Sequence, residues 1–355
     1  MEFLTDYGLF LAKTVTFVVA VLAIVTVIVS AAHRKQDSDD PDGELHLKRL
    51  NEGYKRLKEN LQQKLMGESD RKAWLKGRKK AKKAEAKAKK KAAKDGETGD
   101  EPESPRVFVI DFNGDIKASD NDSLRKAVTA VLSVAEPERD EVVIRLESGG
   151  GLVHAYGLAA AQLDRIRAKK IPLTACVDKV AASGGYMMAC VADRIIASPF
   201  AVLGSIGVVA QLPNFHRLLK KNDVDFEVLT AGEHKRTLTV FGENTDKGRQ
   251  KFLEDLEDTH VLFKDYVSER RPSVDIQAVA NGDIWFGRRA LDVHLIDEVK
   301  TSDEYLIEAC DRAEVVSVSF RRKRTLPEKL GLAASAAIEH SVWKLLSTLR
   351  HRNIQ

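Results

Sequence analysis

Apolar and polar positions divide the chain into four stretches. Residues 14–32 read TVTFVVAVLAIVTVIVSAA and carry no charge. With residues 8–12 ahead of Lys13, the run meets the need for about 20 helical residues to cross a ~30 Å hydrocarbon core. Lys13 can snorkel to the near surface. The pattern predicts a single transmembrane helix over residues 8–32. A cleaved signal peptide is the rival reading, because Ser30-Ala31-Ala32 is small enough for a cleavage site. The length of the run, and Glu2 and Asp6 ahead of it where a basic cluster would stand, favour an uncleaved anchor. Residues 33–105 form a polar spacer. Within it Leu47, Leu50, Tyr54, Leu57 and Leu61 recur at three- and four-residue steps, which predicts an amphipathic helix. Its apolar face suits either a short coiled-coil seam or packing on the folded domain. Residues 71–94 are Lys- and Ala-rich, with Trp74 and Leu75 as the only large apolar side chains. They read as a solvated helix or a disordered linker. Residues 95–105, rich in Gly, Glu and Pro, read as a hinge.

From residue 106 the pattern alternates. Apolar runs at 107–112, 142–146, 171–177 and 194–197 predict strands, with further short strands at 207–210 and 226–229. Helical patterns lie between and after them, at 123–134, 153–168, 184–191, 215–220 and 244–269, the last with Thr245 as a plausible cap. Residues 287–299 read as a helix, a loop and a short strand, and another helix follows Ser302. This order predicts a parallel α/β core over residues 106–325. The run from 186 to 210 is apolar enough to suggest a second membrane span. Asp193, Arg194 and Pro199 break it into pieces too short to cross, so it reads as domain interior. Over residues 326–355, Leu330, Ile338, Val342, Leu345, Leu346 and Leu349 predict a second amphipathic helix. It would pack within the protein or lie on a membrane face.

Charge and composition change this picture little. The 355 residues carry a net charge of +4, but the Lys tract supplies the excess and the remainder is acidic on balance. The tract has no base-reading or stacking partners, so nucleic-acid binding is not indicated, whereas attraction to anionic headgroups is a reasonable role. Cys176, Cys190 and Cys310 have no zinc spacing and make no disulfide framework, and they read as buried thiols. No metal or cofactor is expected. Arg34 and Lys35 follow the apolar run, but Asp37, Asp39, Asp40, Asp42 and Glu44 dilute them. The side of the membrane that holds the domain stays open.

Candidate chemistry centres on Ala181-Ala182-Ser183-Gly184-Gly185-Tyr186-Met187-Met188-Ala189. A small-residue turn carries Ser183 from an apolar strand into an apolar helix, the setting of an exposed nucleophile. A serine needs a base and oxyanion donors. The strand at 142–146 leads into Glu147-Ser148-Gly149-Gly150-Gly151, where the Gly151 N–H is the first candidate donor; the Gly184 N–H is the second. A glycine turn that only permits tight packing is an equal reading of those glycines. His154 starts a helix beside that turn, with no carboxylate placed to orient it. Lys235 follows an apolar run in a polar loop. A lysine acts as a base only when burial removes its charge, and composition alone leaves Lys235 one lysine among many.

The stretch around Ser183 resembles the nucleophile motif of the signal peptide peptidase A family of serine peptidases. Gly204-Ser205-Ile206-Gly207-Val208 resembles the family's next block and Gly232-Glu233-His234-Lys235-Arg236 its lysine loop; the segment from Phe286-Gly287 to Val299 resembles its closing block. Anchor, Lys-rich spacer and single domain together resemble the SohB branch. The resemblance implies a ClpP/crotonase-like α/β superhelix. It implies a Ser/Lys dyad in which Ser183 is the nucleophile and Lys235 the general base, with Ser205 orienting the lysine. It also implies homo-oligomeric rings, in some members with the active site formed where subunits meet. The implied substrates are signal-peptide remnants or other short apolar peptides, at the cell inner membrane. One departure stands out: the family's oxyanion turn usually reads Ser-Pro-Gly-Gly, whereas this chain has Ser148-Gly149-Gly150-Gly151, which predicts a softer turn. Two other classes remain in view. One is a catalytically silent membrane scaffold of the same fold; the other is an acyl-CoA-handling crotonase relative. The intact Ser and Lys motifs count against both.

Overall fold

The computed structural model describes residues 43–94 and 104–321. The expected membrane helix (8–32) and C-terminal amphipathic helix (326–355) lie outside the described residues. Among the described residues no helix is long and apolar enough to cross a membrane.

The architecture is a mixed α/β sheet. In chain order the elements begin with β1 (Glu44–Arg49), α1 (Leu50–Leu65), α2 (Glu68–Lys94), β2 (Arg106–Gly114), α3 (Asn121–Leu132), β3 (Glu141–Ser148) and α4 (Val153–Ala168). Next come β4 (Leu173–Val177), β5 (Val180–Ala182), α5 (Gly184–Ala189), β6 (Arg194–Ala197), β7 (Val202–Gly204), α6 (His216–Lys221) and α7 (Asp246–Arg270). The remainder is α8 (Ile276–Val279), β8 (Ile284–Phe286), α9 (Gly287–Asp292), β9 (Glu298–Val299), α10 (Ser302–Arg312) and β10 (Glu314–Arg321). The sheet runs β1-β10-β2-β3-β4-β6-β9, and a branch adds β5, β7 and β8. β5 leaves the main path by pairing with β3 at Ser148↔Ala181 and then with β7 at Ala182↔Gly204. Only the β7–β8 pair is antiparallel among the pairs with a described register.

Both faces of the central strands are covered, which explains their continuous apolar runs. Phe108, Ile110 and Phe112 of β2 alternate with Val107 and Val109. The first set joins Val128, Leu163, Tyr186 and Val267 in the larger core, beneath α3, α4, α5 and α7. The second set meets Tyr305, Leu306 and Ala309 of α10 on the opposite face. Capping closes two of these helices. The Thr245 hydroxyl accepts from the Gly248 N–H at 3.1 Å at the start of α7, and Thr301 with Glu304 forms a capping box on α10.

The amphipathic pattern at 47–61 splits in two. Leu50 packs on the α10 side, and Asn51 binds the carbonyls of Cys310 and Ala313 and the N–H of Val315. Leu57, Leu61 and Leu65 continue the same row into solvent, with Leu57 68% exposed. The Lys tract is a continuous helix, α2, tied to α1 by Arg78 and Glu59. The strands expected at 207–210 and 226–229 do not form. Val209 and Leu229 are 81% and 89% exposed, and no sheet edge receives either run. The run at 186–210 is interior only in part: α5 and β6 are buried apart from Arg194, whereas Phe200 and Val209 face solvent.

Candidate active site

Three chain segments meet at the C-terminal ends of β3 and β5, the usual place for sites in parallel sheets. The first is the turn from β5 into α5. Ser183 sits there at φ 52°, ψ −120°. A side chain at positive φ stores strain that the surroundings must hold. Here the Ser183 N–H donates to the Gly204 carbonyl at 2.8 Å, and its own carbonyl accepts from the Met187 N–H at 2.9 Å. The strain lifts the hydroxyl out of the strand direction at the head of a helix.

The second segment is the glycine turn after β3. Gly150 has φ +88°, and a Cβ there would lie 2.7 Å from both the Gly184 nitrogen and Ser183 Cβ. The two turns are therefore in direct backbone contact, which only glycine permits. A Cβ on Gly151 would lie 2.1 Å from the Ile116 carbonyl oxygen. That oxygen accepts from the Leu152 N–H at 2.9 Å, which fixes the height of the turn. The N–H groups of Gly151 and Gly184 have no acceptor among the described residues. The structure thus brings together Ser183, Gly151 and Gly184.

A hydroxyl network lies beneath the turn. Ser148 Oγ and Tyr156 Oη are 2.5 Å apart, Tyr156 donates to the Asp115 carbonyl at 2.7 Å, and the Gly150 N–H donates to Ser148 Oγ at 3.1 Å. Burial raises the Tyr156 phenol above its ordinary range, although the Ser148 hydrogen bond opposes the shift, so it remains a donor.

The third segment is α7, which closes one side of a cavity of about 250 Å³ beside Ser183. Its lining includes Val153, Gly157, Met187, Leu262, Phe263 and Tyr266, and is mostly apolar. Tyr266 is held from behind. The Arg270 guanidinium stacks on its ring at 3.5 Å and binds Asp164 at 2.9 Å, and the Tyr266 hydroxyl donates to the same carboxylate at 3.3 Å. Burial, then the Asp164 charge, pushes this phenol up.

Lys235 is not in this cluster within a single chain. It lies exposed in the loop between α6 and α7, with its N–H donating to the Gly232 carbonyl at 3.2 Å, and it does not line the Ser183 cavity. Ser205, at φ 49°, is anchored through its N–H to the Asp283 carbonyl at 2.7 Å. No hydrogen bond among the described residues joins its hydroxyl to Lys235. His154 is exposed at the second position of α4 and points to no role at Ser183. Tyr156, Ile116 and Tyr266 escape sequence reasoning. Tyr156 and Tyr266 look like ordinary core aromatics on apolar helix faces, and Ile116 acts through its backbone alone. Among the described residues no group of His, Cys, Asp and Glu could hold a metal ion.

The sequence profile described as "Peptidase family S49 N-terminal" matches residues 2–163, and that of "Peptidase family S49" matches residues 165–316. The chain belongs to peptidase family S49. Within that family it falls in the SohB branch. A "Probable protease SohB" from Haemophilus influenzae is 50% identical over 333 residues, covering 94% of this chain and 93% of its own. Another of the same name, from Buchnera aphidicola subsp. Schlechtendalia chinensis, is 48% identical over 307 residues, 86% of this chain and 99% of its own. Among solved structures, a membrane-bound stomatin-specific protease in a serine-to-alanine form overlaps 58% of this chain and 84% of its own. Its TM-score is 0.39 at 14% identity. That overlap is too low to add to the S49 assignment. As an S49 member the chain is a peptidase.

Proposed function

We propose that this S49 peptidase is a membrane-anchored serine endopeptidase of the cell inner membrane, with a ClpP/crotonase-like fold and a Ser183/Lys235 dyad. The observation that carries the reading is the strained Ser183 lining one cavity with Gly151 and Gly184, whose N–H groups have no acceptor among the described residues. Ser183 Oγ attacks the peptide carbonyl while its proton passes to neutral Lys235 Nζ. The Gly151 and Gly184 N–H groups take the oxyanion. Collapse returns the proton to the leaving amine and leaves an acyl-Ser183 ester. Water, activated by the same lysine, then hydrolyses the ester.

This scheme assigns an assembly as well as a reaction. Neutral lysine requires burial, and Lys235 is exposed in the single chain. The same stretch presents Val209, Leu212, Val228 and Leu229 to solvent, and exposed apolar patches mark interaction sites. A second copy laid on this face would cover those side chains, bury the lysine loop and bring Lys235 to a Ser183. We therefore read the working enzyme as a homo-oligomer whose dyad is completed between subunits.

The cavity beside Ser183 supports short apolar peptides as substrates. A peptide series that varies the residue before the scissile bond tests this on the detergent-solubilised full chain. The wild type is expected to prefer Leu or Phe there over Asp or Lys, and Ser183→Ala to cleave none. Gly157 has no atom within 4 Å of an added Cβ, so Gly157→Leu should fold and fill the cavity. It should lower kcat/KM for Leu and Phe peptides by about 10-fold or more while sparing Ala peptides. Residual cleavage by Ser183→Ala would overturn the nucleophile, and an unchanged preference in Gly157→Leu would overturn the cavity as the specificity site.

A further inference from the structure

We propose that Tyr156 is the positioning residue that holds the two oxyanion donors in register. The inference rests on the serine-peptidase reading of Ser183 and concerns how that site is kept in working geometry. Tyr156 is fully buried on α4 and touches both halves of the site. Its ring backs Gly184, where a Cβ would lie 2.4 Å from Tyr156 Cγ. Its hydroxyl ends a hydrogen-bond chain that reaches the other half.

The direction of that chain follows from its far end. The Asp115 carbonyl can only accept, so the Tyr156 O–H points to it at 2.7 Å. Tyr156 Oη then accepts the Ser148 O–H across 2.5 Å, and Ser148 Oγ accepts the Gly150 N–H at 3.1 Å. The Ser148 O–H has the Gly114 carbonyl at 3.3 Å as a second, longer acceptor, so Tyr156 Oη at 2.5 Å is the nearer of the two, and buried chains of this kind reinforce each link. The chain draws the Gly150 N–H down to Ser148, away from the substrate. Gly150 at φ +88° then reverses the backbone, and the Gly151 N–H is left without an acceptor. One side chain thus sets the turn through its hydroxyl and seats Gly184 through its ring. It supplies rigidity that the turn Ser148-Gly149-Gly150-Gly151, lacking a proline, does not have in its own backbone.

The test uses the solubilised full chain with Tyr156→Phe, which keeps the ring, and Ser148→Ala, which keeps the tyrosine. Both are expected to lower kcat by about 10-fold to 100-fold with KM within about twofold, because the donors act mainly on the developing oxyanion. Affinity for a peptide aldehyde, whose adduct places an oxygen in the same hole, should fall by the same factor as kcat. The double variant should lose no more than the larger single loss, since both break one chain. If Tyr156→Phe fails to fold, Ser148→Ala decides alone. Unchanged kcat and aldehyde affinity in a folded variant, or a loss confined to KM, would overturn the assignment while leaving the dyad standing. A wild type that cleaves no peptide would overturn the serine-peptidase reading itself.

Discussion

Lys235→Ala is expected to lower kcat/KM for an apolar peptide by about 10⁴-fold, the scale of losing a general base from a serine hydrolase. The same change should leave the melting temperature within about 2 °C of wild type, because exposed substitutions away from special features shift stability little. The two halves of this result come from different observations. The small effect on stability follows from the exposed loop, in which the Lys235 side chain supports no packing within its own chain. The large effect on activity follows from the proposed dyad. Lys247, further along the same surface, is the control. It pairs with Glu233 at 2.6 Å and is exposed, so Lys247→Ala should change neither quantity much. A fall in activity accompanied by an equal loss of folded protein would assign Lys235 a structural role. Mixing Ser183→Ala and Lys235→Ala chains, denatured and refolded together, should restore part of the activity if the dyad spans two subunits. A dyad within one chain would leave the mixture as inert as its components.

Gly151→Ala is the second large effect. The added Cβ would fall 2.1 Å from the Ile116 carbonyl oxygen, a backbone atom that cannot swing away as a side chain does. The turn must move, and it moves off the bond from Leu152 N–H to Ile116 that sets its height. Removal of one oxyanion donor is worth about 3 kcal/mol in the transition state, so kcat should fall by about 10²- to 10³-fold. Stability should fall as well, by about 1–3 kcal/mol, the ordinary cost of overpacking a tight site. Denaturant unfolding beside steady-state kinetics separates the two. Gly149→Ala is the matched control, since nothing lies within 4 Å of a Cβ there. Equal losses in both variants would mean that general softening of the turn, not the Gly151 donor, carries the effect.

The legible parts of this fold are those whose cause is local. β2, β3, β4 and β6 are apolar runs because both faces of a parallel sheet are covered, and such runs show in the sequence without the partner strands. Thr245 could be read as a cap because its geometry involves only the next three residues. The missed strands, β1, β5, β7, β8 and β10, depend on distant partners. β5, β7 and β8 are three residues each, and they become strands only because Ser148, Gly204 and Trp285 arrive beside them. The opposite error has the same origin. Residues 207–210 and 226–229 have strand-like composition, but Val209 and Leu229 face solvent, Val208 lines the Ser183 cavity and Phe226 packs on Phe241, and no sheet edge takes either run.

The candidate site divides along the same line. Ser183, Gly151 and Gly184 stand out as candidates in the sequence because small residues follow strands there, although a glycine turn that only permits tight packing reads equally well. The meeting of Gly150 with Ser183 is a contact between two turns, and no single stretch encodes it. Tyr156 was invisible because its ring is an ordinary core position, and only its hydroxyl, reaching Ser148 and Asp115, separates it from a phenylalanine. Lys235 was singled out by resemblance to a family loop, and the single chain leaves it exposed, which turns the question from residue to assembly.

In the proposed mechanism Ser183 becomes acylated during turnover. The direct measurement is mass spectrometry of the solubilised full chain, quenched with acid during turnover of an activated apolar peptide ester. One acyl group is expected, mapped to Ser183, absent from Ser183→Ala and slow to form in Lys235→Ala. Turnover with no adduct on Ser183, or with the acyl group on another residue, would contradict it.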